Sequence, residues 1–179
     1  HDNYGISRDD KELVETMEQI KKKVIAEEGF PMIEGVPQLL GRLKDSGYRL
    51  AIASSSPLAY IRQVVTSLGI DGYFELLVSG EQVKNPKPAP DVFLEAARQM
   101  KLDPEECLIL EDSSNGCRAA KAAGIVCCAY FNPDSGKQDL SPADVVIEGY
   151  EEIDGAFLEK VYCHGRHLPA LVCETKRLR

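Results

Sequence analysis

The chain contains 179 residues, of which 44% are hydrophobic, and its formal net charge is -8. This length and composition allow one sizeable core and favour a single main domain. The acidic balance excludes nucleic acid and anionic membrane as principal partners, because both require concentrated positive charge. No apolar run approaches ~18 residues and no leader opens the chain, so we expect a cytoplasmic protein.

The six cysteines are expected to be reduced residues of the core. They show no paired Cys-x-x-Cys spacing, and two of them are adjacent in an apolar run. They stand at positions 107, 117, 127, 128, 163 and 173. This usage is typical of a chain without a disulfide framework.

The first predicted element is an amphipathic helix over residues 8–26. Apolar side chains recur there at spacings of three and four residues, at Leu13, Met17, Ile20 and Val24. A glycine and a proline near residue 30 end the pattern. From the pattern alone, this helix packs on the surface of the core.

Helices and strands alternate along the chain from residue 36 onward. The strands are predicted at 48–53, 74–78, 107–110, 125–131 and 143–147, with helices that begin near residues 36, 58, 91 and 115. This alternation predicts an α/β fold with a doubly wound parallel sheet. The carboxyl ends of parallel strands share one edge of such a sheet, so residues distant in sequence can meet there.

Three hydroxyl side chains follow the strand predicted at 48–53. They are Ser54, Ser55 and Ser56, and Pro57 comes next, where it can begin a helix. Serine hydroxyls and the unpaired N–H groups of the following helix can together hold a phosphate. A simple serine cap is the alternative.

Lys87 lies in a proline-rich segment, Asn85-Pro86-Lys87-Pro88-Ala89-Pro90-Asp91. Proline restricts the backbone on both sides of the lysine. A lysine that is held in place can act as a point charge toward a phosphate or a carboxylate. The alternative is a proline-rich loop with an incidental lysine.

Glu111 and Asp112 follow the apolar run Leu108-Ile109-Leu110 and precede Ser113-Ser114-Asn115-Gly116. A strand that ends in adjacent acids places hard oxygen ligands at the carboxyl edge of the sheet, where open α/β folds bind ligands. The pair therefore predicts a metal site. A solvated strand end with a serine or asparagine helix cap remains the alternative.

The segments LAIASSSP, NPKPAPD and LILEDSSNG, in this order, resemble the second, third and fourth motifs of the haloacid dehalogenase superfamily. The resemblance covers about residues 30 to 150 and points to the branch of β-phosphoglucomutase and the sugar-phosphate phosphatases. It implies that Ser54 binds the transferring phosphoryl group together with Ser55 and Ser56. It further implies that Lys87 bridges phosphate and nucleophile, and that Glu111 and Asp112 hold Mg2+.

The resemblance also implies a function and a domain division. A sugar-phosphate phosphatase that forms an aspartyl-phosphate is the expectation, with a phosphomutase as the alternative. Residues 1–30 would be the remnant of a helical cap, residues 31–155 the hydrolase core, and residues 156–179 a C-terminal tail or linker.

The nucleophile motif of this superfamily, Asp-x-Asp-Gly at the end of a first strand, is absent before Ser54. The chain is therefore expected to lack its nucleophile, and a catalytically incomplete fragment that binds phosphate and metal stays open as an alternative. The nucleophile strand of the superfamily lies between the strands that end at Ser54 and Glu111. We accordingly expect those two strands either to stand apart with unpaired edges or to pair directly.

The C-terminal tail contains a small cluster of Cys163, His164 and His167. We predict no metal there, because three potential ligands without a fourth at standard spacing favour a satisfied or solvated cluster. The last six residues, Glu174-Thr175-Lys176-Arg177-Leu178-Arg179, resemble the opening strand of a family of N-acetyltransferases. This resemblance suggests a fused acetyltransferase-like domain in the parent gene.

Overall fold

A computed structural model of the chain describes residues 10–161 and 170–173. The α-helices are α1 (Asp10–Glu28), α2 (Val36–Asp45), α3 (Leu58–Ser67), α4 (Asp91–Met100), α5 (Ser114–Ala123) and α6 (Gly155–Val161). The strands are β1 (Arg49–Ser54), β2 (Leu76–Ser79), β3 (Cys107–Glu111), β4 (Val126–Tyr130), β5 (Val145–Ile147) and β6 (Ala170–Cys173). The predicted alternation of helices and strands is thus confirmed between residues 36 and 147.

All six strands belong to one parallel sheet with the order β2-β1-β6-β3-β4-β5. Neighbouring side chains along β1 pack into two different cores. Ala51 and Ala53 face the core formed with α4 and α5, whereas Leu50 and Ile52 face the core formed with α2, α3 and α6. A strand covered on both faces needs a continuous apolar run, which explains why β1 and β3 show no alternation with polar residues. The doubly wound α/β fold predicted from the sequence is therefore confirmed.

The centre of the sheet differs from the prediction that no strand would lie between β1 and β3. β6 lies between β1 and β3 and runs parallel to both, so these two strands neither stand apart nor pair with each other. Val172 pairs with Ala51 on one side and with Ile109 on the other. The two exposed edges that we expected would have been unfavourable, and a segment distant in sequence satisfies both of them.

Regular structure continues beyond residue 155, in α6 and in β6. α6 packs Leu158 into the core on the α2 side of the sheet, and β6 follows at Ala170–Cys173. Two elements of the fold therefore lie in the stretch from residue 155 onward, and the division into domains stays a prediction. The Cys163, His164 and His167 cluster and the final six residues lie outside the described part of the chain.

α1 extends the predicted helix to Glu28, and its apolar side chains are largely exposed. The exposed fraction is 63% for Met17 and 57% for Ile20. Its role as a cap remnant stays a prediction.

Among the described residues no helix is both long and apolar enough to cross a membrane. Four of the cysteines, Cys107, Cys117, Cys127 and Cys128, are free and buried, as predicted.

Candidate active site

The predicted site residues lie at or beside the carboxyl edge of the sheet. Ser54 ends β1 and Glu111 ends β3, the two strands that flank β6. Lys87 reaches this edge from the loop between β2 and α4. Ser54, Lys87 and Glu111 are only 0%, 7% and 2% exposed. Three polar residues from distant parts of the chain are therefore held together away from water.

Lys87 and Glu111 form a buried ion pair. The distance from Lys87 Nζ to Glu111 Oε1 is 2.9 Å, and both side chains are almost completely buried. The same ammonium donates to the carbonyl oxygen of Ala53 at 3.2 Å and lies 4.1 Å from the centre of the Phe93 ring. These contacts fix the position of the charge between β1 and β3. An ammonium group in this position can neutralise an anion bound at the sheet edge.

Burial lowers the pKa of Lys87 from its ordinary value of 10.5, while Glu111 opposes that shift through its charge and its hydrogen bond. Desolvation disfavours the charged ammonium, and the nearby carboxylate favours it. A lysine whose pKa is shifted by burial and one specific partner in this way is typical of a functional site.

The other oxygen of Glu111 organises the turn between β3 and α5. Glu111 Oε2 accepts hydrogen bonds from the backbone N–H of Asp112, the backbone N–H of Ser113 and the hydroxyl of Ser113, each at 2.9 Å. Both carboxylate oxygens therefore have protein partners. Glu111 stabilises the position of Lys87 on one side and the position of the turn on the other.

Two backbone amides in the first turn of α5 are paired with side chains of the protein itself. Ser114 donates its N–H to Gln138 Oε1 at 3.0 Å, and Gly116 donates its N–H to Ser113 Oγ at 3.0 Å. Since these amides are already paired, we do not expect an anion at this helix terminus. An anion is better placed near Ser54.

The serine turn after β1 is held by hydrogen bonds on both sides. Ser56 donates its N–H to Ser54 Oγ at 3.2 Å, and the hydroxyl of Ser79 donates to the carbonyl oxygen of Ser56 at 2.7 Å. Ser54 is buried, Ser56 is half-buried and Ser55 is exposed, so the turn runs from the core to the surface at the sheet edge. Ser79 was not identified from the sequence, because it is a single serine at the end of β2, without the further serines and the proline that follow Ser54.

Asp112 is half-buried and contacts two side chains from the loop after β4. Ser135 Oγ donates to Asp112 Oδ2 at 3.3 Å, and Asn132 Nδ2 lies 3.5 Å from the same oxygen. Neither residue was identified from the sequence. The available signal was their position after a strand of the parallel sheet, where loops approach the functional edge.

The donor atoms at this edge fit Mg2+ in their chemistry. Carboxylate oxygens are hard ligands, and Mg2+ commonly uses one or two carboxylates together with waters and substrate phosphate. Because both oxygens of Glu111 already accept hydrogen bonds, Asp112 is the better direct ligand. Across residues 10–161 and 170–173 there is no group of three or more His, Cys, Asp or Glu side chains that could hold a metal ion.

Gly116 allows the close approach of α5 to Glu111. A Cβ atom at position 116 would overlap the carboxyl group of Glu111. We expect Gly116→Ala to lower the free energy of unfolding by about 1–3 kcal/mol, because neither the helix backbone nor the buried carboxylate can move freely. Urea unfolding followed by circular dichroism measures this loss.

Gly41→Ala is the matched control for this substitution. Gly41 lies inside α2, and a Cβ atom there would meet no other atom within 4 Å. Alanine is the better helix former, so Gly41→Ala should raise the free energy of unfolding by about 0.5–1 kcal/mol. A gain of stability in both variants would contradict the close packing of Gly116 against Glu111.

Comparisons with known proteins agree with this arrangement. The family model of the haloacid dehalogenase-like hydrolases matches residues 1–130. The chain is 32% identical over 150 residues to a phosphorylated carbohydrates phosphatase of Thermotoga maritima, which covers 79% of this chain and 69% of that protein. It is 33% identical over 131 residues to a phosphoglycolate phosphatase of Escherichia coli, which covers 72% of this chain and 52% of that protein.

One solved structure provides a further comparison. The crystal structure of CbbY from Rhodobacter sphaeroides in complex with phosphate is similar with a TM-score of 0.69 and 29% sequence identity. The similarity covers 76% of this chain and 63% of that one. The chain thus spans between about half and two thirds of the length of several proteins that it matches.

Proposed function

The chain belongs to the haloacid dehalogenase-like hydrolases, and from this premise we propose that its site serves phosphoryl transfer from a small phosphorylated metabolite, a sugar phosphate, to water. The observation that carries the proposal is the buried ion pair of Lys87 and Glu111 between Ser54 and Asp112 at one edge of the sheet. An acidic protein needs such a local positive charge to capture an anionic substrate.

In this proposal Lys87 and the serine turn bind the phosphate. The ammonium of Lys87 neutralises the oxygens of the phosphoryl group, on which negative charge develops during transfer. The hydroxyl of Ser54 donates a hydrogen bond to the same group, and Ser55 and Ser56 extend the donor surface. Preorganised donors of this kind act strongly because they do not have to reorient during the reaction.

Asp112 and Glu111 are proposed as the Mg2+ site, with Asp112 as the direct ligand. The bound ion supplies charge neutralisation at the phosphate oxygens. Glu111 contributes by holding Lys87 and the turn that carries Asp112. The two carboxylates therefore have different tasks although they are adjacent in sequence.

The proposal assigns no nucleophile within this chain. None of the six strands in the described part of the chain is followed by an Asp-x-Asp-Gly segment. In the family reaction a carboxylate attacks phosphorus and water then releases the phosphate, which divides one difficult step into two. For this reason a second candidate function is a unit that binds phosphate and Mg2+ without turning over substrate.

Both candidates require metal binding at Asp112, which is directly testable. Mn2+ binding to the 179-residue chain, measured by calorimetry or by water-proton relaxation, should weaken about tenfold or more in Asp112→Asn, since one ligand charge is lost. The fold should remain, because asparagine has the same shape as aspartate. Turnover of a sugar phosphate would then distinguish the phosphatase from the binding unit.

Asp71→Asn is the control for this measurement. Asp71 precedes β2 and therefore lies at the amino edge of the sheet, opposite the proposed site. The substitution Asp71→Asn removes the same charge from an exposed position and should leave the Mn2+ affinity unchanged. Equal affinities in the unaltered chain and in Asp112→Asn would contradict the assignment of Asp112.

A further inference from the structure

The loop of residues 132–139, between β4 and β5, makes two contacts to a single oxygen of Asp112. The Ser135 hydroxyl donates to Asp112 Oδ2 at 3.3 Å, and the Asn132 amide nitrogen lies 3.5 Å from it. Asn132 also accepts a hydrogen bond on Oδ1 from the backbone N–H of Asp134 at 3.0 Å. This second contact determines which end of the Asn132 amide is oxygen, so its nitrogen must face Asp112.

Gln138 ties this loop to the start of α5. Its Oε1 accepts from both the N–H and the hydroxyl of Ser114, at 3.0 and 3.1 Å, and its Nε2 donates to the carbonyl oxygen of Ser135 at 2.9 Å. The N–H of Asp139 donates to Ser114 Oγ at 2.6 Å. Both polar atoms of the Gln138 amide group thus have a partner, and the loop is connected to Asp112 and to the start of α5.

We propose that Ser135 and Asn132 are positioning residues for the metal ligand Asp112, and that Gln138 holds them in place. The inference rests on the proposed function, because it takes Asp112 as the ligand of Mg2+. A carboxylate whose one oxygen is held by neighbours presents a defined orientation to a cation. Outer partners of metal ligands typically change metal affinity 10- to 100-fold when they are removed.

Two variants test the two parts of the proposal. Ser135→Ala removes the hydroxyl that donates to Asp112, and Gln138→Met keeps the length of the side chain but removes its hydrogen bonds to Ser114 and Ser135. Each should weaken Mn2+ binding to the full chain about tenfold, measured by water-proton relaxation. Ser135→Thr retains a hydroxyl and should restore the affinity to near that of the unaltered chain.

Ser141→Ala is the matched control. The hydroxyl of Ser141 donates to Asp139 Oδ1 at 2.7 Å, so its partner is not Asp112. Ser141→Ala removes a serine hydroxyl as Ser135→Ala does, in the same region of the chain, and should leave the Mn2+ affinity unchanged. Urea midpoints recorded for all variants show whether each is folded under the binding conditions.

The outcomes separate this inference from the proposed function. If the unaltered chain binds Mn2+ and Asp112→Asn weakens it, but Ser135→Ala and Gln138→Met bind as tightly as the unaltered chain, the positioning role is wrong and the metal site stands. If Ser141→Ala or Ser135→Thr loses as much affinity as Ser135→Ala, the positioning role is also wrong. If the unaltered chain binds no Mn2+, the proposed function fails and this inference fails with it.

Discussion

Val172→Pro is expected to lower the stability of the chain strongly. Val172 lies in β6, which has β1 on one side and β3 on the other. In a central strand every backbone N–H points to one of two neighbouring strands, so proline necessarily removes a hydrogen bond of the sheet. A buried carbonyl left without its donor costs about 1–3 kcal/mol, and the ring of proline further separates the strands.

The expected loss of about 3 kcal/mol or more is a large part of the stability of a small domain, which is typically about 5–15 kcal/mol. Without β6 the sheet divides into a pair, β2 and β1, and a group of three, β3, β4 and β5. Two-stranded sheets are at best marginally stable in water. Circular dichroism in urea should therefore show a lowered midpoint or no cooperative transition.

Val146→Pro provides the control in the edge strand β5. The carbonyl oxygen of Ile147 accepts from the N–H of Phe131, so Ile147 directs its polar backbone groups toward β4. Because successive residues of a strand alternate in direction, the N–H of Val146 points away from β4. Proline is tolerated at such a position. Equal urea midpoints for Val172→Pro and Val146→Pro would contradict the central place of β6.

The elements between residues 36 and 147 were predictable because local signals agree with the fold. α4 occupies Asp91–Met100, as predicted, where proline precedes the helix and the apolar spacing has the helical period. α5 ends where Gly124 adopts a left-handed conformation with φ of 70°, which supports the interpretation of this glycine as a stop. Such signals depend on neighbours in sequence alone.

The position of β6 could not be predicted from the sequence. The strand has only four residues, and short apolar runs do not reveal which strands they will pair with. Its place depends on the two long-range partners β1 and β3, which lie far earlier in the chain. The resemblance to the family assigns this place to the strand that carries the nucleophile, so it gives no indication of β6.

The candidate site likewise contains residues that the sequence indicates locally and residues that it does not. The proximity of Ser54, Lys87 and Glu111 was predictable because each follows or adjoins a recognisable strand or proline segment, and the parallel sheet brings their positions together. Asn132 and Ser135 were not identified, because serine and asparagine are ordinary loop residues and their position after a strand was the only signal. They contact Asp112 only because the folded loop brings them to it, and the local sequence does not show this path.

Lys87→Met is expected to reduce both stability and phosphate binding. Methionine has a similar length but no charge, so Glu111 would remain as a buried carboxylate without its ammonium partner. Removal of one partner of a buried ion pair typically costs 3–5 kcal/mol, so we expect a loss of about this size in urea unfolding. Inorganic phosphate, titrated calorimetrically in the presence of Mg2+, should no longer bind measurably.

Arg98→Met controls for the loss of a positive charge. Arg98 pairs with Glu95 on the surface of α4, and its side chain is 70% exposed. Exposed ion pairs contribute little to stability, so this variant should retain the urea midpoint and the phosphate affinity of the unaltered chain. The comparison separates the effect of burial from the change in net charge, which is the same in both variants.

The double variant Lys87→Met with Glu111→Gln separates the structural role of Lys87 from its role in binding. Glutamine keeps an oxygen that can accept from the N–H groups of Asp112 and Ser113, and no buried charge then lacks a partner. Replacement of both members of a buried pair is often close to neutral, so part of the lost stability should return. Phosphate binding should remain absent, because the ammonium that attracts the anion is still missing. If the double variant binds phosphate as tightly as the unaltered chain, Lys87 serves stability alone and cannot be the group that holds the phosphate.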